Sequence, residues 1–333
     1  MLTKTKMILL MFLITTIHLQ AKTIIDDYGR VVSIPDKITK IFASSPPLTM
    51  SLLAFDPKLI AALNFPFSKE QEPYVGSAYN KPVAGGFFGQ GKTPNFEALA
   101  AAKPDVILVW GKMTGVEKIV EKFSMLNIPV LLVRNDSIKD LTTQFELFGE
   151  LTGDKKRAQE LIAYTNETLT LIEKLQTKLQ ASPSLRYYFA EGLDGLNSEC
   201  NGSFHLEPFL YTGSKNALDC QMGSLYGMEK VSAEKVLMSK PDIIIAMERP
   251  FYEGIYENER FKSLDAVKNK QVYLVPSHPF NYISRPPSFM RLMGIRWLIH
   301  IFHPTLLATS NDEELQRFQK IFFPNFTSHI ARR

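Results

Sequence analysis

Two α/β lobes joined by one long rigid helix form the architecture this sequence predicts, and three observations predict it. One phrase is written twice, as "NFEALAAAKPDVILVW" over 95–110 and "SAEKVLMSKPDIIIAM" over 232–247. Between the copies, "DKKRAQELIAYTNETLTLIEKLQTKL" keeps helical periodicity from 154 to 179 without a proline or glycine. The chain has 333 residues, above the size at which a single core stops growing, so two domains are the default.

The first residues set the compartment. Lys4 and Lys6 form a basic start, Met7 to Ile17 is an apolar run too short to span a bilayer comfortably, and Ala21 is a small residue suited to cleavage. We read residues 1–21 as a secretory signal peptide and place the mature chain in a bacterial periplasm. No cysteine near the cleavage position offers a handle for lipid attachment, and no later segment reads as membrane-spanning. The remaining boundaries are 22–150 for the first lobe, 151–182 for the linking helix and 183–333 for the second lobe.

Within the first lobe, "TIIDDYGRVVSIP" alternates about a turn and predicts a β-hairpin. "KIFA" then reads as a strand, "SSPP" as a turn into a helix, and "IAALNFP" and "KPVAGG" as further strands. The repeated phrase follows: a short helix, a Pro-Asp turn that cannot continue it, and a β-branched strand buried on both faces. One more helix and strand reach Asn135, for five α/β steps. The linking helix, at about 25 residues, would be nearly 40 Å long by its rise per residue, a strut where a flexible hinge would carry Gly, Ser or Pro. Beyond it the second lobe repeats the scheme.

Composition excludes some partners. Loss of Lys4 and Lys6 leaves 36 basic against 34 acidic residues, scattered along the chain, so nothing favours nucleic acid. The two cysteines, Cys200 and Cys220, lie in a compartment that permits disulfides. We expect them to pair, closing a loop of about 20 residues worth roughly 3 kcal/mol on the loop-entropy model. A thiolate metal site would need a spacing these two lack. GxSxG, HExxH, the P-loop and GxGxxG are all missing, and the nucleophile, base and orienter of a hydrolase cannot be read as a local motif from this chain.

Signal peptide, lobe, long helix and lobe, with Glu-x5-Lys-Pro-Asp in each lobe, resemble the helix-linked periplasmic binding proteins (class III) of ABC importers for ferric siderophores, cobalamin and related metal complexes. "YYFAEGLDGLNSECNGSFH", "VYLVPSHPFNYISRPPSFMRLMGIRWL" and "ASSPP" are similar to the CeuE-type receptors for iron or nickel complexes. The resemblance implies a binding protein without a cofactor of its own, whose partners are an ABC permease, its ATPase and a small-molecule metal chelate. It also implies that Glu97 and Glu234 dock onto the permease. The plainer reading makes both glutamates solvated first-turn residues. A metallochaperone, a chelate-processing enzyme, or a receptor for haem, cobalamin or molybdate are the alternatives.

In open parallel sheets ligands lie outside the carboxyl ends of the strands, which puts the site in a cleft between the lobes. The candidate ligand residues there are Phe88, Trp110, Lys112, His205, Arg249, Tyr252, His278, Asn281 and Arg285. Aromatic walls with a few cations suit a bulky organic complex bearing oxygen anions. Arg285, beside two prolines, is either an anion contact or a structural arginine tying down its loop. Nothing assigns a metal ligand, although His205 or His278 could complete a nickel or iron chelate; the first lobe has no histidine, which disfavours a bare ion held from both sides. A helical strut permits only small rotations, so we expect limited lobe closure.

Overall fold

The computed structural model describes residues 21–87, 93–182, 184–223, 227–324 and 326. The expected signal peptide, residues 1–21, lies outside the described residues except for Ala21, the first residue of β1, and Phe88 also lies outside them. The first half contains β1 (Ala21–Ile25), β2 (Val31–Pro35), β3 (Ile41–Ala43), α1 (Pro46–Phe55), α2 (Glu72–Val75), α3 (Phe96–Ala102), β4 (Val106–Trp110), α4 (Val116–Ser124), β5 (Val130–Val133) and α5 (Asp140–Thr152). The linking helix is α6 (Lys155–Ala181). The second half contains β6 (Arg186–Ala190), β7 (Asn197–Ser198), α7 (Glu207–Leu210), β8 (Lys215–Asn216), β9 (Glu229–Lys230), α8 (Ala233–Ser239), β10 (Ile243–Ala246), α9 (Arg249–Gly254), α10 (Asp265–Lys268), β11 (Val272–Leu274), α11 (Arg291–Phe302) and α12 (Asn311–Phe322).

Each half holds a parallel sheet, ordered β3-β4-β5 in the first and β11-β10-β6-β8 in the second, and β1 pairs antiparallel with β2 as the expected hairpin. Two of the five strands expected in the first half do not form ladders. They shrink to single bridges, Ile41 with Ile60 and Leu63 with Val83. Pro66 and Pro82 have no N–H to give a ladder, and the buried Asn64 amide takes the Ala43 and Gly85 carbonyls instead.

The repeated phrase builds the same joint twice. Asn95 caps α3 by accepting from the Ala98 N–H, and Ser232 caps α8 by accepting from the Lys235 N–H. Each helix ends on a lysine in the left-handed region, Lys103 and Lys240. The Asp after the proline then reaches across to the neighbouring strand. Asp105 accepts from the Thr39 and Lys40 N–H groups (2.7 and 2.9 Å), just ahead of β3. Asp242 accepts from the Arg186 N–H (2.7 Å), the first residue of β6. The carboxylates thus pin the register between each phrase and the strand beside it.

Strand alternation divides the interior. Ile41, Val106, Leu108, Leu131 and Val133 of the first sheet, with Tyr187, Phe189, Ile243 and Ile245 of the second, belong to one core that continues through α6, α11 and α12. The opposite faces form two separate, smaller cores, one for each sheet. The helix α6 buries Ala158, Leu161, Tyr164, Thr168, Ile172, Leu175 and Leu179, a stripe at three- and four-residue spacing. Its first turn is locked by Arg157, which donates to the Ala54, Phe55 and Ile321 carbonyls, orphan acceptors at the ends of α1 and α12. Further along, Tyr164 donates to Glu314 (2.5 Å) and Glu167 pairs with Arg317 on α12. Among the described residues no helix is long and apolar enough to cross a membrane.

Cys200 and Cys220 form the expected disulfide. Replacing both with serine should cost about 3 kcal/mol in chemical denaturation; an unchanged midpoint would mean the loop is held by other contacts. Asp105→Ala, which loses two backbone partners and the Thr39 hydroxyl, should cost about 2 kcal/mol. Asp242→Ala should cost less in the same assay, and the reverse order would contradict the joint described above.

Candidate functional site

The carboxyl ends of both sheets face one another, and the side chains there build the site. On the first side, β4 ends at Trp110, whose indole N–H donates to Asp136 (2.8 Å). Lys112 pairs with the same carboxylate (2.8 Å), and the hydrogen bond it donates to Asp136 raises the lysine's pKa. Gly111 lies between them because a Cβ there would sit 2.2 Å from the Tyr28 ring. The Trp110 ring meets Phe204 of the other half at 5.8 Å between centroids.

On the second side, β6 leads directly into Glu191, which is fully buried, as is Glu199. Both carboxylates accept from Arg285, each at 2.8 Å. Glu199 also accepts from the Ser203 hydroxyl and the Met228 N–H. Gly227, at φ +67°, is required beside it, since a Cβ would lie 2.1 Å from that carboxylate. One guanidinium cannot neutralise two buried carboxylates. Burial first, opposed by Arg285 and reinforced by the hydrogen-bonded Glu199, pushes the Glu191 pKa up to about 8.

The two sides are joined by direct bonds. Glu207, buried on α7, accepts from the Ser137 hydroxyl (2.6 Å) and the Ile138 N–H (2.8 Å) of the first half. It also pairs with the buried Arg291 (3.0 Å), whose other nitrogens donate to the Ile283 and Phe204 carbonyls. At the far edge Tyr74 bonds His278 Nε2 (2.8 Å) and Gln71 donates to the Pro279 carbonyl (3.1 Å). Asn135, Ser137, Phe204, Pro287, Ser288 and Arg291 are among the residues around a small open cavity of about 20 Å³ at this seam.

The residues singled out from sequence fall into three groups. Trp110 and Lys112 meet at Asp136, while His205 and Asn281 converge on one loop: His205 Nδ1 contacts the Ser284 hydroxyl, and Asn281 accepts from the Ser284 N–H. Arg285 lies in that loop but is held by the two glutamates, and His278 is held by Tyr74. Arg249 and Tyr252 sit apart on α9, Arg249 paired with Glu253 and Tyr252 packed on the outer core. Sequence reasoning missed Asp136, Glu191, Glu199, Glu207 and Tyr74. A glutamate directly after the "RYYFA" strand was the one local signal available. Among the described residues no three His, Cys, Asp or Glu side chains are grouped to hold a metal ion.

This fold and cleft define a class of two-lobed solute receptors. A family model described as periplasmic binding protein matches residues 74–279, and the chain belongs to that family. The ferric enterobactin-binding periplasmic protein FepB of Escherichia coli is 28% identical over 72% of this chain and 80% of its own. The molybdate-binding protein MolA of Haemophilus influenzae is 23% identical over 96% of this chain and 93% of its own. The structure of an ABC transporter solute binding protein from Sulfurospirillum deleyianum superposes with a TM-score of 0.82 at 32% identity, covering 91% of this chain and 95% of that one. The chain is therefore a helix-linked periplasmic solute-binding protein of an ABC importer, a class that works with an inner-membrane permease and its ATPase, and it is not an enzyme.

The carboxyl pair gives a pH signature. A carboxyl whose native pKa lies above its ordinary value of 4.5 binds its proton more tightly in the folded state. Its contribution to stability therefore declines as pH rises from that value to about 8 and is level above. Glu191→Gln, neutral throughout, should flatten this part of the profile and melt no lower than the parent at the alkaline end. A variant that retains the parent's slope would place the titration elsewhere.

Proposed function

We propose that the protein captures a nickel or iron chelate between its lobes in the periplasm and delivers it to the permease. The observation that carries this reading is the Trp110–Phe204 contact across the cleft, flanked by the Asp136–Lys112 pair on one side and the Arg285 cluster on the other. A flat apolar wall with a few fixed polar groups suits the organic shell of a chelate. The ferric enterobactin receptor among its relatives favours the same class of ligand. Free molybdate is the second reading, favoured by the likeness to MolA along nearly the whole chain.

Docking falls to Glu97 and Glu234. Both are exposed, both occupy the second position of a short capped helix, and the two helices end in the same Lys-Pro-Asp joint. A single exposed ion pair is worth at most about 1 kcal/mol, so two carboxylates at a fixed separation serve orientation more than affinity.

Titrating the mature protein with nickel and histidine, ferric enterobactin and molybdate while following tryptophan fluorescence tests the ligand. Saturable quenching by a chelate, lost in Trp110→Phe, is expected. Response to molybdate alone would move the assignment to the second reading. Glu97→Ala with Glu234→Ala should abolish uptake in cells while leaving that quenching unchanged; intact uptake would remove both residues from docking.

A further inference from the structure

The turn between β3 and α1 holds two hydroxyls that no described residue uses. Ser44 and Ser45 are 0% and 3% exposed, and among the described residues neither Oγ has a hydrogen-bond partner. Their surroundings, by contrast, are fully committed. The Ser44 N–H donates to the Leu108 carbonyl and its own carbonyl accepts from Phe87. Thr49 donates to Asn64, and the Asn64 amide donates to Ala43 and Gly85. A buried hydroxyl without a partner is costly, and two adjacent ones in so ordered a turn call for an external acceptor.

Sequence explains part of this. Ser45 is the N-cap of the ten-residue helix α1, with extended backbone at φ −139° and ψ 150°, yet its side chain makes no capping bond. An N-cap oxygen ordinarily accepts from the second or third helical N–H. The first two helical residues here are Pro46 and Pro47, which have no N–H to offer. The prolines remove the first two donors, and the remaining one, the Leu48 N–H, makes no bond to the Ser45 hydroxyl, which therefore stays uncommitted at the positive end of a helix dipole, on the cleft end of the first sheet.

We propose that Ser44 and Ser45 are an anion-oxygen subsite of the cleft, donating their hydroxyl protons to one charged oxygen group of the ligand. That group is a free tetrahedral oxyanion or a carboxylate of an organic chelate, and the inference rests on the cleft being the binding site. The hydroxyls bear on the ligand and add nothing to folding.

The double variant Ser44→Ala/Ser45→Ala separates these roles. Without ligand, it should melt at or above the parent temperature, because the substitutions remove unsatisfied buried groups. Titrated with molybdate, with nickel and histidine, and with ferric enterobactin, it should bind about tenfold or more weakly than the parent to the probe the parent accepts. Loss confined to molybdate identifies the oxyanion, and loss confined to the nickel–histidine complex identifies the carboxylate. A lower ligand-free melting temperature, or failure to fold, would make the hydroxyls structural and overturn the proposal. Unchanged affinity for every probe the parent binds would overturn the subsite and leave the cleft reading intact, whereas a parent that binds none of them would overturn both.

Discussion

A single apolar core beneath both sheets is the constraint on which the rest of this structure depends. The inner faces of β3–β5 and of β6 and β10 bury their side chains in the same cluster. The ring stack of Phe289, Phe318 and Phe322 lies within that cluster. Interiors are close-packed, so such a cluster resists gradual deformation. The lobes therefore cannot swing far apart without opening the layer that makes each of them stable. The strut α6 lies along this layer, tied at its start to α1 and α12 by Arg157 and in its middle to α12 by Tyr164 and Glu167.

The cleft inherits its shape from that arrangement. Glu207 links the start of α5 to Arg291 at the start of α11, so the floor of the site is fixed from both halves by one buried carboxylate. Around it, Trp110 and the Arg285 loop are each held by a second group before any ligand arrives. Preorganisation of this kind lowers the ordering cost of binding. It also means that charge in the cleft is mostly balanced locally, Lys112 by Asp136 and Arg285 by two glutamates.

Much of this was legible in the sequence, and the reason is repetition. The doubled phrase located both sheets because a helix, a Pro-Asp turn and a β-branched run leave little freedom in three dimensions. The linking helix was legible because 27 residues keep one buried stripe. What the sequence hid were pairings between distant residues. Nothing near Arg285 announces Glu191 and Glu199, and nothing near Trp110 announces Asp136. The return of α12 across the linking helix toward Phe145 was equally silent, since an amphipathic pattern specifies a buried face without naming its partner. Two expected strands failed because proline and a buried asparagine amide outweighed their apolar character.

Small-angle scattering of the protein from residue 22 onward, free and saturated with whichever of nickel–histidine, ferric enterobactin or molybdate quenches Trp110, tests the preset cleft most directly. The shared core predicts nearly superimposable curves and a radius of gyration unchanged beyond measurement error. A clear contraction on binding, of the kind produced by hinge closure, would show that the two lobes move as separate bodies and would contradict the account.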